Sequence, residues 1–328
     1  MARGPCTHLE RGLHTSGSTV RAKLQNFYQL LKQAAADWSE DNAARLAAAL
    51  AYYTVLSIAP LLILATAVVG LVLGDDAARG EVASELSSIV GPQAGQGLQT
   101  VLKEAKSPEG GVISSIISVV VLLFGASGVF GELQSALNTI WEVKPKPGQG
   151  LMGFIRTRFF SFTMVLSVAF LLLVSLVLSA GLSAVGGFFE HLLPGGEAVW
   201  QVLNFVISFA VISALFALIF KVVPDVQVAW RDVRMGAVFT ALLFTIGKML
   251  LGLYLGRASV ASPYGAAGSV VVLVIWVYYA AQILFMGAEF TQVYARAHGA
   301  ELKPSAQAVR VDEAKHDDPA AGTAAHTA

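Results

Sequence analysis

Six long apolar segments decide what this chain can fold into. They cover about residues 43–73, 112–140, 159–185, 199–220, 235–255 and 266–294. A helix rising 1.5 Å per residue needs about 20 residues to cross ~30 Å of hydrocarbon, and each segment is long enough. Outer-membrane strands run about 10 residues with strict alternation, a pattern these segments lack. Hydrocarbon offers the backbone no hydrogen-bond partner, so each segment must satisfy its own polar groups as a helix. The expected fold is therefore an all-α integral membrane protein with six transmembrane helices. Composition enters at one point. Only 13% of the 328 residues are charged, against roughly 25% in soluble domains, too few to clothe a soluble enzyme of this size.

The basic residues orient the bundle. Arg3, Arg11, Arg21, Lys23, Lys32 and Arg45 precede or open the first segment, and Lys144, Lys146, Arg156 and Arg158 follow the second. Lys221, Arg231 and Arg234 follow the fourth, and Arg296, Lys303, Arg310 and Lys315 follow the sixth. The alternate loops hold only Arg79, Lys103, Lys106 and Arg257. By the positive-inside rule the topology is N-in/C-in, with both termini cytoplasmic. An even number of spans requires the same. The chain's zero net charge excludes a strongly basic nucleic-acid binder, yet it conceals an inner side rich in bases and an outer side rich in acids.

Three regions follow from this pattern. Residues 1–42 form a cytoplasmic N-terminal segment, 43–298 the six-helix membrane domain, and 299–328 a cytoplasmic tail. In the first, Val20, Leu24, Phe27, Leu31, Ala35 and Trp38 recur at helical spacing. This predicts an amphipathic helix over about 20–40, either lying on the membrane surface or packed on the membrane domain. The tail is rich in Ala, Asp and His with no apolar period, and disorder is expected there. The acidic external loop, about 74–111, carries Val82, Leu86 and Ile89, then Leu98, Leu102 and Ala105. These suggest two short external helices broken at Gly91-Pro92, and a surface that could recruit an envelope protein partner. The single cysteine, Cys6, excludes a disulfide framework. No apolar run precedes it, and the first apolar segment is too late and too long for a signal peptide, so the N-terminus is expected to be retained.

Charges inside spans are costly and mark candidate sites. Glu132 and Glu289 fall near the inner ends of the second and sixth segments. Each is either an interfacial acid paired with Arg156, Arg158, Arg231 or Arg234, or part of a polar inner vestibule. Lys248 lies 14 residues into the fifth segment, about 21 Å deep. It either snorkels to the outer interface or anchors an anionic group. In the first segment Tyr52, Tyr53 and Ser57 precede Pro60, which removes a helix hydrogen bond and predicts a kink with a polar face. Gly125, Gly128 and Gly131, and the pair Gly252 and Gly256, suit close helix packing. The histidines lie in termini and loops without metal-pair spacing, and neither a Walker loop nor a GxSxG elbow is present. No catalytic set, metal site or cofactor is expected.

Five motifs carry a family resemblance. They are AAALAYYTVLSIAPLL (Ala47–Leu62), LNTIW (Leu137–Trp141), PDVQVAWRDVRMGA (Pro224–Ala237), GKMLLGLYL (Gly247–Leu255) and SPYGAAGSVVVLVIWVYYAAQILFMGAEF (Ser262–Phe290). In this order and spacing the chain resembles the YihY/virulence factor BrkB family of bacterial inner-membrane proteins, from about Gln25 to Arg296. The resemblance implies a six-helix inner-membrane protein with cytoplasmic termini. It suggests movement of a lipid or small solute. Some members have carried the label ribonuclease BN, but the HxHxDH cluster such a zinc nuclease needs is absent here. The functional expectation is a transporter or lipid-handling protein acting on an anionic lipid or small solute in the phospholipid bilayer. The alternative is a structural scaffold working through its external loop.

Overall fold

Asn42 is where the chain first reverses. The structure, a computed structural model, describes residues 11–74, 80, 82, 84, 128–146, 196–257, 268–306 and 308–311. Among these the helices are α1 (Arg11–Glu40), α2 (Ala43–Leu73), α3 (128–140), α4 (Gly196–Val222), α5 (Trp230–Arg257) and α6 (Gly268–Ala297). Asn42 sits between α1 and α2 with φ 53°, a left-handed conformation that Asn tolerates better than most residues. Its side-chain amide donates to the Glu40 carbonyl (3.1 Å), satisfying an acceptor left open at the end of α1.

Among the described residues three helices contain stretches long and apolar enough to cross a membrane: Phe205–Val222 in α4, Trp230–Tyr254 in α5 and Val270–Ala297 in α6. Their outward faces fit hydrocarbon. Val202, Phe205 and Val206 on α4, and Leu242, Met249, Leu253 and Tyr254 on α5, are all exposed. α2 is helical from end to end through Pro60. The third apolar segment, most of the second, most of the external loop, and Gly125 lie outside the described residues.

α5 and α6 are antiparallel and touch through two matched corners. A Cβ on Gly236 of α5 would overlap the Thr291 hydroxyl, and one on Gly287 of α6 would overlap the Thr240 hydroxyl. Each threonine turns its hydroxyl back onto its own helix, Thr240 to the Gly236 carbonyl (2.7 Å) and Thr291 to the Gly287 carbonyl (2.6 Å). The motif is Gly-x-x-x-Thr on both helices. Small residues let the backbones approach, the main source of helix association in lipid. A third close approach, Gly247 against Tyr279 and Ile283, extends the same register.

The N-terminal helix packs on this pair. Phe27 makes edge contacts with Phe239 of α5 (6.4 Å) and Phe290 of α6 (5.9 Å). Ala34 is fully buried against Phe290 and Val293, and Trp38 packs on the main core. Leu24 and Tyr28 remain exposed on its other side.

One end of the bundle is tied into a knot. β1 (Val143–Pro145), directly after α3, pairs antiparallel with β4 (Ala308–Arg310). β2 (Val226–Gln227), between α4 and α5, pairs with β3 (Lys303–Pro304). α6 is capped by Gly299 (φ 72°), with Ala300 N–H bonded to the Ala295 carbonyl and Gly299 N–H to that of Arg296. This is the paired capping pattern that glycine permits. It aims the following residues at the two loops. The expectation of disorder from residue 299 is thereby corrected over 300–306 and 308–311. Leu302 and Ala308 are buried in the core, a tertiary gain that no local period announces. Residues 312–328 lie outside the described residues.

Candidate functional site

The most unusual polar group in the structure is Glu289. It sits on α6 between Ala288 and Phe290, fully buried, and neither carboxyl oxygen receives a hydrogen bond from any N–H or O–H. Its polar neighbour is another acid: the Asp41 side chain, in the α1–α2 turn, lies within hydrogen-bonding reach. Asp37, one turn earlier on α1, adds further negative charge. Nearby, Arg296 of α6 bridges to Glu142 at the end of α3 (Nη2–Oε2 2.7 Å). The indole N–H groups of Trp38 and Trp141 are also buried without an acceptor.

This arrangement acts on Asp41. Burial above all, then the charge of Glu142, push its carboxyl above its ordinary value of 3.8; the contact with Glu289 works the other way, and Asp37 and Glu40 add to the rise. A folded chain that holds this proton after the unfolded chain has released it binds more protons, so stability falls as pH rises. The contribution is fully present below 3.8 and is lost as pH climbs through the raised folded value. The expected result is a melting-temperature difference, Asp41→Asn minus wild type, that grows from acid to neutral pH in detergent. A difference constant with pH would contradict it.

The three intramembrane charges singled out by sequence do not form one site. Gly236 faces Thr291 and Thr240 faces Gly287, so Glu289 is level with residue 238 of α5, and Lys248 lies about 15 Å further along the helix. The Gln292 amide donates to the Ile140 carbonyl (2.6 Å), which fixes α3 beside α6. Glu132, partly buried, is eight residues before Ile140, so it lies about 7 Å deeper than Glu289. Pairing of Glu289 with Arg231 or Arg234 is corrected too. Arg231 turns to Asp232 (3.4 Å), and Arg234 donates to the Trp230 carbonyl (3.3 Å). Both sit at the start of α5 on its exposed side. Arg156 and Arg158 lie outside the described residues.

Elsewhere the predicted positions divide. A Cβ on Gly128 would lie 3.6 Å from the Tyr53 ring and 3.8 Å from the Ser57 hydroxyl, an ordinary van der Waals approach of α3 to α2. Ser57 is buried, while Tyr52 and Tyr53 are largely exposed and meet edge to edge at 5.8 Å. A Cβ on Gly131 or Gly252 would meet nothing within 4 Å. Those two glycines therefore face open space among the described residues. The side chain of Pro60 and the surroundings of Gly256 lie outside the described residues.

Sequence reasoning passed over Asp41, which stood in the cytoplasmic flank as an ordinary surface charge. It also passed over the junction of two of its own motifs. Asn138 of LNTIW donates to Asp225 Oδ2 (2.9 Å) and accepts the Asp225 backbone N–H (2.8 Å), and Gln134 adds a bond to the same carboxylate (3.2 Å). The signal was present: both motifs flank loops that the charge count placed on one side.

A family model described as Virulence factor BrkB matches residues 34–312. The resemblance carried by the five motifs is thus borne out. A UPF0761 membrane protein of Rhodospirillum centenum is 26% identical over 82% of this chain and 58% of its own length. One from Pseudomonas aeruginosa is 29% identical over 76% of this chain and 58% of its own, and one from Teredinibacter turnerae is 27% identical over 81% and 60%. The chain therefore spans about three-fifths of the length of these curated relatives. No solved structure matches.

Proposed function

We propose, starting from the fact that this chain belongs to the Virulence factor BrkB family, that it crosses the bacterial inner membrane six times with both termini cytoplasmic. There it handles an anionic lipid or small anionic solute. The observation that carries this reading is Lys248. It is the single charged residue between Met235 and Gly256, about 27 Å along α5 from Trp230. Ionisable groups at such depth are expensive and mark substrate or ion pathways. Its helix neighbours Met249 and Leu250 are exposed apolar groups, so an anionic headgroup moving along α5 would find a cation bordered by hydrocarbon-compatible surface. The knot of β1–β4 and β2–β3 supports the topology, because it gathers three of the base-rich segments at one end. The reading includes no enzymatic step and no nuclease activity. The alternative, a scaffold acting through residues 74–111, rests on a loop that lies mostly outside the described residues.

Vesicles containing the purified chain should translocate fluorescent phosphatidylglycerol, or release a small organic anion, faster than protein-free vesicles. Lys248→Ala should slow that movement several-fold while the protein remains inserted. Rates indistinguishable from empty vesicles for both cargoes would overturn the reading.

A further inference from the structure

The α1–α2 turn is held to α6 by a contact that lacks a donor. Asp41 and Glu289 meet within hydrogen-bonding reach, yet both oxygens of Glu289 are buried and receive no N–H or O–H. With Glu289 buried and Asp41 half-buried, two carboxylates this close strongly resist being ionised together. Whatever joins them must be positive, and small enough to sit between two oxygens. A proton fits between two oxygens and needs no further ligand, and among the described residues no group of three His, Cys, Asp or Glu is placed to hold a metal ion. A protonated carboxyl donates one strong O–H bond to its ionised neighbour.

We propose that Asp41 and Glu289 form a proton-binding site, sharing one proton between their carboxyls and so clamping the α1–α2 turn onto α6. This goes beyond the transport reading and does not depend on what the protein moves. Proton uptake from water converts a doubly negative pair into a singly negative one, and release restores two like charges in contact. The surrounding charges are Asp37 and Glu40 on α1, Glu142 after α3 and Arg296 on α6. Asp37 accepts a bond from Gln33 (2.7 Å), and Arg296 is engaged by Glu142. The nearby cation is therefore already matched to another acid, and the pair is left to be neutralised by a proton. Asn42, in its left-handed conformation at the adjoining position, makes the turn the joint that this clamp controls.

The test is labelling of the full chain in detergent with an apolar carbodiimide, which modifies protonated carboxyls in apolar surroundings, followed by peptide mass mapping between about pH 6 and pH 9. Adduct is expected on Glu289 or Asp41 at neutral pH, several-fold above the exposed Glu301, and it should decline as pH rises. Asp41→Asn removes the like charge and supplies an amide donor in place of the shared proton, so adduct on Glu289 at neutral pH should fall several-fold. Absence of adduct on both acids in the folded wild type overturns the proposal without recourse to any variant. So does an Asp41→Asn profile identical to wild type. Protection by sodium at fixed pH, in place of dependence on pH, would also overturn it, by assigning the site to a metal cation.

Discussion

Gly287→Ala is expected to destabilise the α5–α6 pair by about 1–3 kcal/mol, and a second change, Thr240→Gly, is expected to recover most of the loss. The new methyl would overlap the Thr240 hydroxyl and lie 2.7 Å from Thr240 Cγ2. Thr240 cannot step aside. It is fully buried, its hydroxyl is bonded to the Gly236 carbonyl, and β-branching restricts its rotamers in a helix. The backbones must therefore separate, which also opens the partner corner, where Thr291 rests on Gly236. Thr240→Gly clears the obstruction at a cost of about 1 kcal/mol for a glycine within a helix. The readout is the sign of the coupling: the double variant should melt above Gly287→Ala alone in detergent, although each single change is destabilising. Losses that simply add would show that the corner is not a packing contact.

This corner also shows where sequence reasoning stops. The three described spanning helices could be read directly, because the demand of hydrocarbon for self-satisfied backbone is local and leaves a run of apolar residues. Their packing could not. With 31 glycines in the chain, the spacing of Gly252 and Gly256 looks as promising as Gly236 and Thr240. Only the antiparallel register distinguishes the first, whose Gly252 faces open space among the described residues, from the second, which interlocks. The acid pair was hidden for a different reason. Glu289 was expected near the inner end of its helix, and the partner sought for it was a base, as attraction suggests. The chain instead sets another acid beside it, and opposite-charge searches cannot find that. Asp41 was in view throughout, three residues after Trp38 of the amphipathic stripe.

A cysteine pair replacing Lys144 and Val309, in a chain with Cys6→Ser, is expected to cross-link on mild oxidation, and Leu302→Asp to abolish that link. Lys144 and Val309 are direct partners in the β1–β4 register. Opposed residues in an antiparallel pair have Cα atoms about 4.5–5.5 Å apart, inside the range a disulfide spans. Leu302 is the buried residue that anchors the approach to these strands, and an unpaired charge at such a position costs about 3–5 kcal/mol. The Ser305 N–H bonds to the Asp225 carbonyl (2.8 Å), and the Val311 N–H to that of Glu142 (3.1 Å). The Asp225 side chain is in turn gripped by Asn138 and Gln134. Losing the seat of Leu302 should thus release the tail from both loops together. On a gel the link appears as a mobility shift reversed by reductant. If Lys144→Cys and Val309→Cys stay unlinked in otherwise folded protein, the tail does not close this end of the bundle. If they link even with Leu302→Asp, the strands hold without the core contact, and the physical account of the knot given by Leu302 fails while its topology survives.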